Sequence, residues 1–105
     1  MKHKIWEVWF AKVKFEDSDL VKNRPVLIIG QSKAIIISLK MTTHSQRDRY
    51  DYPLRHWNKA GLKKETIVRT TKICHLIESD LVWKIGRLSE HDIIQIQNLL
   101  IHPNS

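Results

Sequence analysis

No unbroken apolar run in this chain exceeds four residues, the length reached at 26–29 and 34–37. A membrane helix needs ~20 apolar residues, so none is expected here. Runs this short and this rich in Val and Ile are strand-sized. Pro25 precedes the first run; lacking a donor N–H, it suits a strand's first residue. Residues 30–33, Gly-Gln-Ser-Lys, read as a turn, and 34–39 as the next strand, so the pair is expected to form an antiparallel hairpin.

The rest of the chain extends this pattern. Residues 5–15 alternate with aromatics on both faces and read as a strand. On that reading Trp6 and Trp9 cannot both enter one core, and one of them is expected at a partner surface. Residues 16–23 are polar and read as a loop. Residues 40–64 form a long basic, aromatic segment with a short strand expected around 50–54. Trp57 is expected to pack beneath that loop. Strand character returns at 66–76. Residues 78–84 read as a helical turn broken by Gly86, with Trp83 in the core. Ser89-Glu90-His91-Asp92 has the form of a capping box, with Ser89 as N-cap. Ile93, Ile96 and Leu100 follow at helical spacing, and Pro103 ends the helix. A mainly β fold with a C-terminal helix follows, a small twisted antiparallel sheet or partly open barrel.

With 105 residues the chain is expected to be one domain over 1–105. A domain this small has a modest stability margin, which favours pairing with a second copy. There are 18 Lys and Arg against 11 Asp and Glu, a net charge of +7, which suits a polyanionic partner. The single cysteine, Cys74, excludes an internal disulfide and fits a reduced, partly buried thiol. The N-terminus meets an acidic residue at once and does not read as a signal peptide, so a cytoplasmic protein is expected.

The six histidines fall in no metal-ligand spacing, and neither a P-loop nor a GxGxxG occurs, so no metal and no cofactor are expected. What remains is Arg24, Thr42, Thr43, His44 and the basic segment behind them. In an antiparallel hairpin the start of one strand lies beside the end of the next, so Arg24 and Thr42 are expected to meet. A guanidinium beside hydroxyls suits a phosphodiester: it offers fixed donors to the phosphate oxygens and stabilises developing charge. An Arg before Pro is ordinarily a solvated strand end, and Thr-Thr after a strand is ordinarily turn chemistry. His44 is an outside candidate for a base, since Arg, with a pKa above ~12, is a poor one. The aromatics among Arg47, Arg49 and Arg55 suit nucleic-acid contact.

Four segments in order resemble the MazF/PemK family of toxin ribonucleases: Arg24-Pro25-Val26-Leu27-Ile28-Ile29, Met41-Thr42-Thr43, Gly61-Leu62 leading to Thr66-Ile67-Val68, and Lys84-Ile85-Gly86-Arg87-Leu88-Ser89. The resemblance implies an SH3-like small barrel of the plasmid-maintenance toxin type, usually a homodimer. It implies a sequence-preferring, metal-independent endoribonuclease acting on single-stranded mRNA and leaving a 2′,3′-cyclic phosphate and a 5′-OH. It implies a cognate antitoxin, with operator DNA reached only through the antitoxin complex. Carried over, Arg24 and Thr42 are the catalytic pair, and Ser18 lies where some members contact substrate. Lys22, Thr43, His44, Arg47 and Arg49 complete the expected substrate contacts. The chain departs from the family where Trp6-Glu7 replaces a frequent Gly-Asp, Lys22-Asn23 a glycine-bearing loop, and Thr71-Lys72 a Glu-Gln pair. Two other readings fit the charge: a toxin of the same fold that binds a protein such as a topoisomerase, and a nucleic-acid-binding module without catalysis.

Overall fold

The computed structural model describes residues 3–14 and 20–101. Six strands and one helix follow one another: β1 (Glu7–Lys14), β2 (Val21–Gln31), β3 (Ile36–Thr42), β4 (Asp51–Pro53), β5 (Ile67–Leu76), a 3-10 turn (Glu78–Asp80), β6 (Leu81–Arg87) and α1 (Glu90–Ile101). The strands form one antiparallel sheet in the order β4-β5-β3-β2-β1-β6. No described helix is long and apolar enough to cross a membrane.

Alternation sorts the apolar residues onto two faces. Val8, Leu27, Leu39, Met41 and Val68 point to the face that α1 covers with Ile93 and Ile96. Trp9, Ala11, Val13, Val26 and Ile28 point to the other, where Leu76 and Leu81 close over them. Register shifts interrupt the pairings of β1 with β6, β2 with β3 and β3 with β5, and bulges of this kind bend a strand and increase its twist.

Several expectations change. β2 begins at Val21, so 21–23 belong to the strand and not to the loop; cross-strand pairing with β1 outweighs their polarity. Gly30 and Gln31 are still strand, and the turn lies between Ser32 and Ile35, whose backbones share a hydrogen bond of 2.9 Å. After the 3-10 turn comes a strand, and Gly86 lies inside it. An added Cβ there would stand 2.1 Å from the Ala60 carbonyl oxygen, so the glycine permits close packing of the 60–61 turn on β6. Trp83 is 54% exposed and stacks on Phe10 at 4.6 Å, so it lies outside the core.

The two N-terminal tryptophans are both packed. Trp9 is buried, and its indole N–H donates to Glu7 Oε1 at 3.0 Å. Trp6 precedes the strand, so alternation does not bind it, and it packs against the α1-side core. Its φ of 71° is a left-handed value that glycine adopts freely and tryptophan rarely. The resemblance puts glycine at this position. Trp57 packs on the same core, as its place beneath the loop suggested. Cys74 is half-buried, and burial pushes its thiol pKa up.

Candidate active site and adjoining pocket

β1, β2, β3 and β5 share a cleft of about 210 Å³ on the face away from α1. Val26 pairs with Lys40, and continuing that register by two residues sets Arg24 across from Thr42. On the other side of β3, Lys40 pairs with Arg69. Ala11 is the β1 partner of Arg24, a small residue beneath a large one. Arg24, Lys40, Thr42, His44 and Arg69 all line the cleft, and among the described residues no carboxylate does.

The groups are held in place. Thr42 Oγ1 accepts the His44 backbone N–H at 3.1 Å, which orients the hydroxyl and leaves its own proton to donate outward. Arg69 donates to Asp51 Oδ2 at 2.8 Å, and Arg47 binds the same oxygen through its backbone N at 3.0 Å and Nε at 3.2 Å. Asp51 is 1% exposed. Burial works to raise its pKa, but the Arg47 hydrogen bonds and the two guanidinium charges outweigh it, and the net shift is downward. The charged carboxylate thus fixes Arg69 at the cleft wall.

A second pocket of about 360 Å³ adjoins the first and shares His44 with it. Thr43, Leu54, Arg55, Trp57, Glu65 and Thr66 line it. Its outer wall is fastened to the helix by Asp92, which is fully buried. Asp92 accepts from the Tyr52 hydroxyl (2.6 Å), the Arg55 N–H (3.0 Å) and the His56 N–H (2.9 Å). The expected N-cap is present: the Asp92 N–H donates to Ser89 Oγ at 3.3 Å.

The structure therefore brings Arg24, Thr42 and His44 together, and places Thr43 one step along in the adjoining pocket. Lys22 is exposed opposite Val13, a residue of the cleft wall. Arg47 and Arg49 line neither space. Arg47 is drawn to Asp51, and Arg49 sits over the Tyr50 ring at 4.9 Å. Ser18 lies outside the described residues. Lys40 and Arg69 are the cleft cations that the sequence reading missed. The alternation of β5 carried the signal for Arg69: Val68 and Thr70 turn toward the helix side, so Arg69 must turn away. Among the described residues no group of three or more His, Cys, Asp or Glu is placed to hold a metal ion.

Comparisons with known proteins agree with this architecture. The structure of an endoribonuclease in complex with its cognate antitoxin, from a mycobacterial species, superposes with a TM-score of 0.74 at 14% identity, covering 94% of this chain and 91% of that one. A second mycobacterial endoribonuclease gives 0.73 at 15% identity over 95% and 89% of the two chains. The Mycobacterium tuberculosis toxin MazF-mt6 gives 0.65 at 18% identity over 86% and 89%. None of the curated proteins compared with the chain matches it in sequence. At these identities the structures share the fold. The family itself is set by sequence: residues 2–102 match the family described as PemK-like, MazF-like toxin of type II toxin-antitoxin system. The chain belongs to the PemK-like, MazF-like toxins of type II toxin–antitoxin systems.

Proposed function

We propose that this toxin is a metal-independent endoribonuclease that cuts single-stranded RNA in the Arg24–Thr42 cleft. The observation that carries the reading is the lining of that cleft, where the described residues bring together three cations from three strands, Arg24, Lys40 and Arg69, with the Thr42 hydroxyl and the His44 imidazole. Such a lining attracts a phosphodiester and holds it by several donors at once. Two of the structures with the same fold are named endoribonucleases, which supports the same direction.

In this mechanism the RNA supplies its own nucleophile. The 2′-oxygen attacks the adjacent phosphorus, its proton passes to a base, and the bond from phosphorus to the 5′-oxygen breaks. The leaving 5′-oxygen takes up a proton. The products are a 2′,3′-cyclic phosphate and a 5′-OH. Arg24 sits at the rigid start of the apolar part of β2 and binds the non-bridging oxygens as charge builds on them. Thr42 donates its hydroxyl proton to the same phosphate. Lys40 and Arg69 hold the flanking backbone. His44, exposed at the junction of cleft and pocket, is the candidate for moving the proton.

The toxin is further proposed to work in the cytoplasm as a homodimer and to be silenced by a cognate antitoxin that covers this cationic surface. One of the similar structures holds such a pair.

Incubating purified protein with a long single-stranded RNA in EDTA tests the reading. Discrete fragments with 5′-OH ends are expected from wild type. Arg24→Ala is expected to stay folded and to cut roughly 10²–10³-fold more slowly, as for loss of a preorganised donor. Equal cutting by both proteins, or intact RNA in both, rejects the assignment.

A further inference from the structure

We infer that the pocket formed by Leu54, Arg55, Trp57, Glu65 and Thr66 is a guanine-binding subsite that selects where the toxin cuts. The inference rests on the ribonuclease reading above and deepens it. The pocket shares His44 with the catalytic cleft, so a phosphate bound at Arg24 and Thr42 leaves a neighbouring nucleotide at the pocket's mouth. Its volume of about 360 Å³ lies at the lower end of small-ligand pockets, roughly 300–1,000 Å³, which suits one planar base.

The walls are preformed. Trp57 is partly buried against the α1-side core and lines the pocket, and its carbonyl accepts the N–H groups of Ala60 and Leu62, both at 3.2 Å, which holds its backbone in place beside a ring able to stack on a base. The backbone of Arg55 is pinned by Asp92, and the Leu54 N–H is pinned by the Thr66 carbonyl at 3.0 Å. A base entering this space would meet walls already in position, so little ordering is lost on binding.

The polar groups choose the base. Among the described residues Glu65 is the one carboxylate of the pocket lining. An ionised carboxylate only accepts hydrogen bonds, through two oxygens side by side. Guanine alone offers two adjacent donors on its pairing edge, N1–H and the N2 amino group. Adenine and cytosine each set a ring-nitrogen lone pair beside their one amino group, which a carboxylate repels. Uracil has a single donor between two carbonyls. Arg55 supplies the complement, donating to guanine O6 or N7. The two pocket charges thus match both halves of one base.

The experiment is a map of 5′-ends left on a long mixed-sequence RNA by wild type and by Glu65→Gln. Glu65 is exposed, so its loss should not disturb the core. Wild type is expected to show guanine enriched at one fixed position beside the cut. Glu65→Gln is expected to reduce that preference by about 5- to 150-fold, the worth of one bidentate base contact. An oligonucleotide with inosine at that position, which lacks the N2 amino group, should be cut more slowly than its guanosine twin by wild type, and the gap should narrow in Glu65→Gln. Wild-type cutting with no guanine enrichment, or with an enrichment untouched by Glu65→Gln, overturns the subsite while leaving the nuclease. If wild type cuts no RNA, a binding titration of guanosine- and adenosine-containing dinucleotides decides the subsite separately. Guanine-selective binding lost in Glu65→Gln upholds it, and equal binding of the two overturns it.

Discussion

Tyr52 donates its hydroxyl proton to Asp92 Oδ1 across 2.6 Å, joining the short strand β4 to the first turn of α1. The bond ties β4, whose Pro53 lines the second pocket, to the element that covers the core. Burial, and then the Asp92 carboxylate, hold the Tyr52 phenol pKa well above its usual range, so the hydroxyl stays a donor.

Removing Asp92 should be among the costliest single changes outside the apolar core. Asp92→Ala leaves the Tyr52 hydroxyl and the Arg55 and His56 N–H groups without their acceptor. The three donors are only part-buried, so each should fall at the low end of the about 1–3 kcal/mol for a stranded group, and a loss of about 3–5 kcal/mol is expected. Tyr52→Phe removes one donor and should cost about 1–2 kcal/mol. Urea denaturation of both variants checks the ranking; an Asp92→Ala protein as stable as wild type would show that the hub carries no stability.

Acid should remove the same contribution. Burial acts to raise the Asp92 pKa, but the hydrogen bonds from Tyr52, His56 and Arg55 and the nearby His56 outweigh it, so the net shift is downward from 3.8. A group whose folded pKa is depressed contributes stability above its unfolded pKa and loses it as pH falls through the folded value. The stability gap between wild type and Asp92→Asn should therefore be constant from pH 7 to about pH 5 and shrink below about pH 4. Urea midpoints for the pair across that range test it; a gap that grows on acidification would reverse the sign.

Local chemistry made much of this legible in the sequence. Pro25 and the β-branched runs marked the central hairpin, and that hairpin placed Arg24 beside Thr42. Ser89 and Asp92 marked the helix start. What stayed hidden depended on distant chain. The strand state of 21–23 and of Gly86 comes from pairing with β1, and the close approach of Ala60 to Gly86 is what a side chain there would block. Trp83 reads as core by composition, but β6 is an edge strand, and Trp83, stacked on Phe10, stays 54% exposed. Alternation along β5 turns Arg69 away from the helix side, but its place beside Lys40 depends on a pairing with β3 that no local pattern reveals. Arg47 was legible as a cation, but its capture by Asp51 was not.

The two threonines should separate. Thr42 lines the proposed catalytic cleft and Thr43 the adjoining pocket. Thr42→Val keeps the shape and removes the donor, so turnover should fall by about 10²-fold or more. Thr43→Val should be milder and act on site preference. Single-turnover cleavage of one short RNA by both variants decides this, and the reverse order would move the catalytic register by one residue.

Lys40 should act through charge. Lys40→Ala removes one cation from the cleft without touching Arg24 or Thr42. Each phosphate contact on a single strand contributes about 0.7 to the slope of log affinity against log salt. The variant, in an Arg24→Ala background that does not cut, should bind RNA more weakly and with a slope smaller by about 0.7. An unchanged slope in a salt titration would place Lys40 off the RNA path.

Two glycines of the same sheet should respond oppositely to alanine. At Gly86 the new methyl would lie 2.1 Å from the Ala60 carbonyl oxygen, which is backbone and cannot rotate away. The 60–61 turn must then lift from β6, and Gly61 has little freedom to help: its own missing Cβ would stand 2.4 Å from the Ile85 carbonyl oxygen, at a φ of 89°. Gly86→Ala is therefore expected to cost more than about 2 kcal/mol, in the range of overpacked interiors. At Gly30 the nearest atoms lie at 3.7 Å, an ordinary contact, so Gly30→Ala should stay within about 1 kcal/mol of wild type and gain from a stiffer unfolded chain. Thermal denaturation of the two variants side by side tests the packing. Equal melting temperatures would mean that β6 does not hold the 60–61 turn as closely as these distances require.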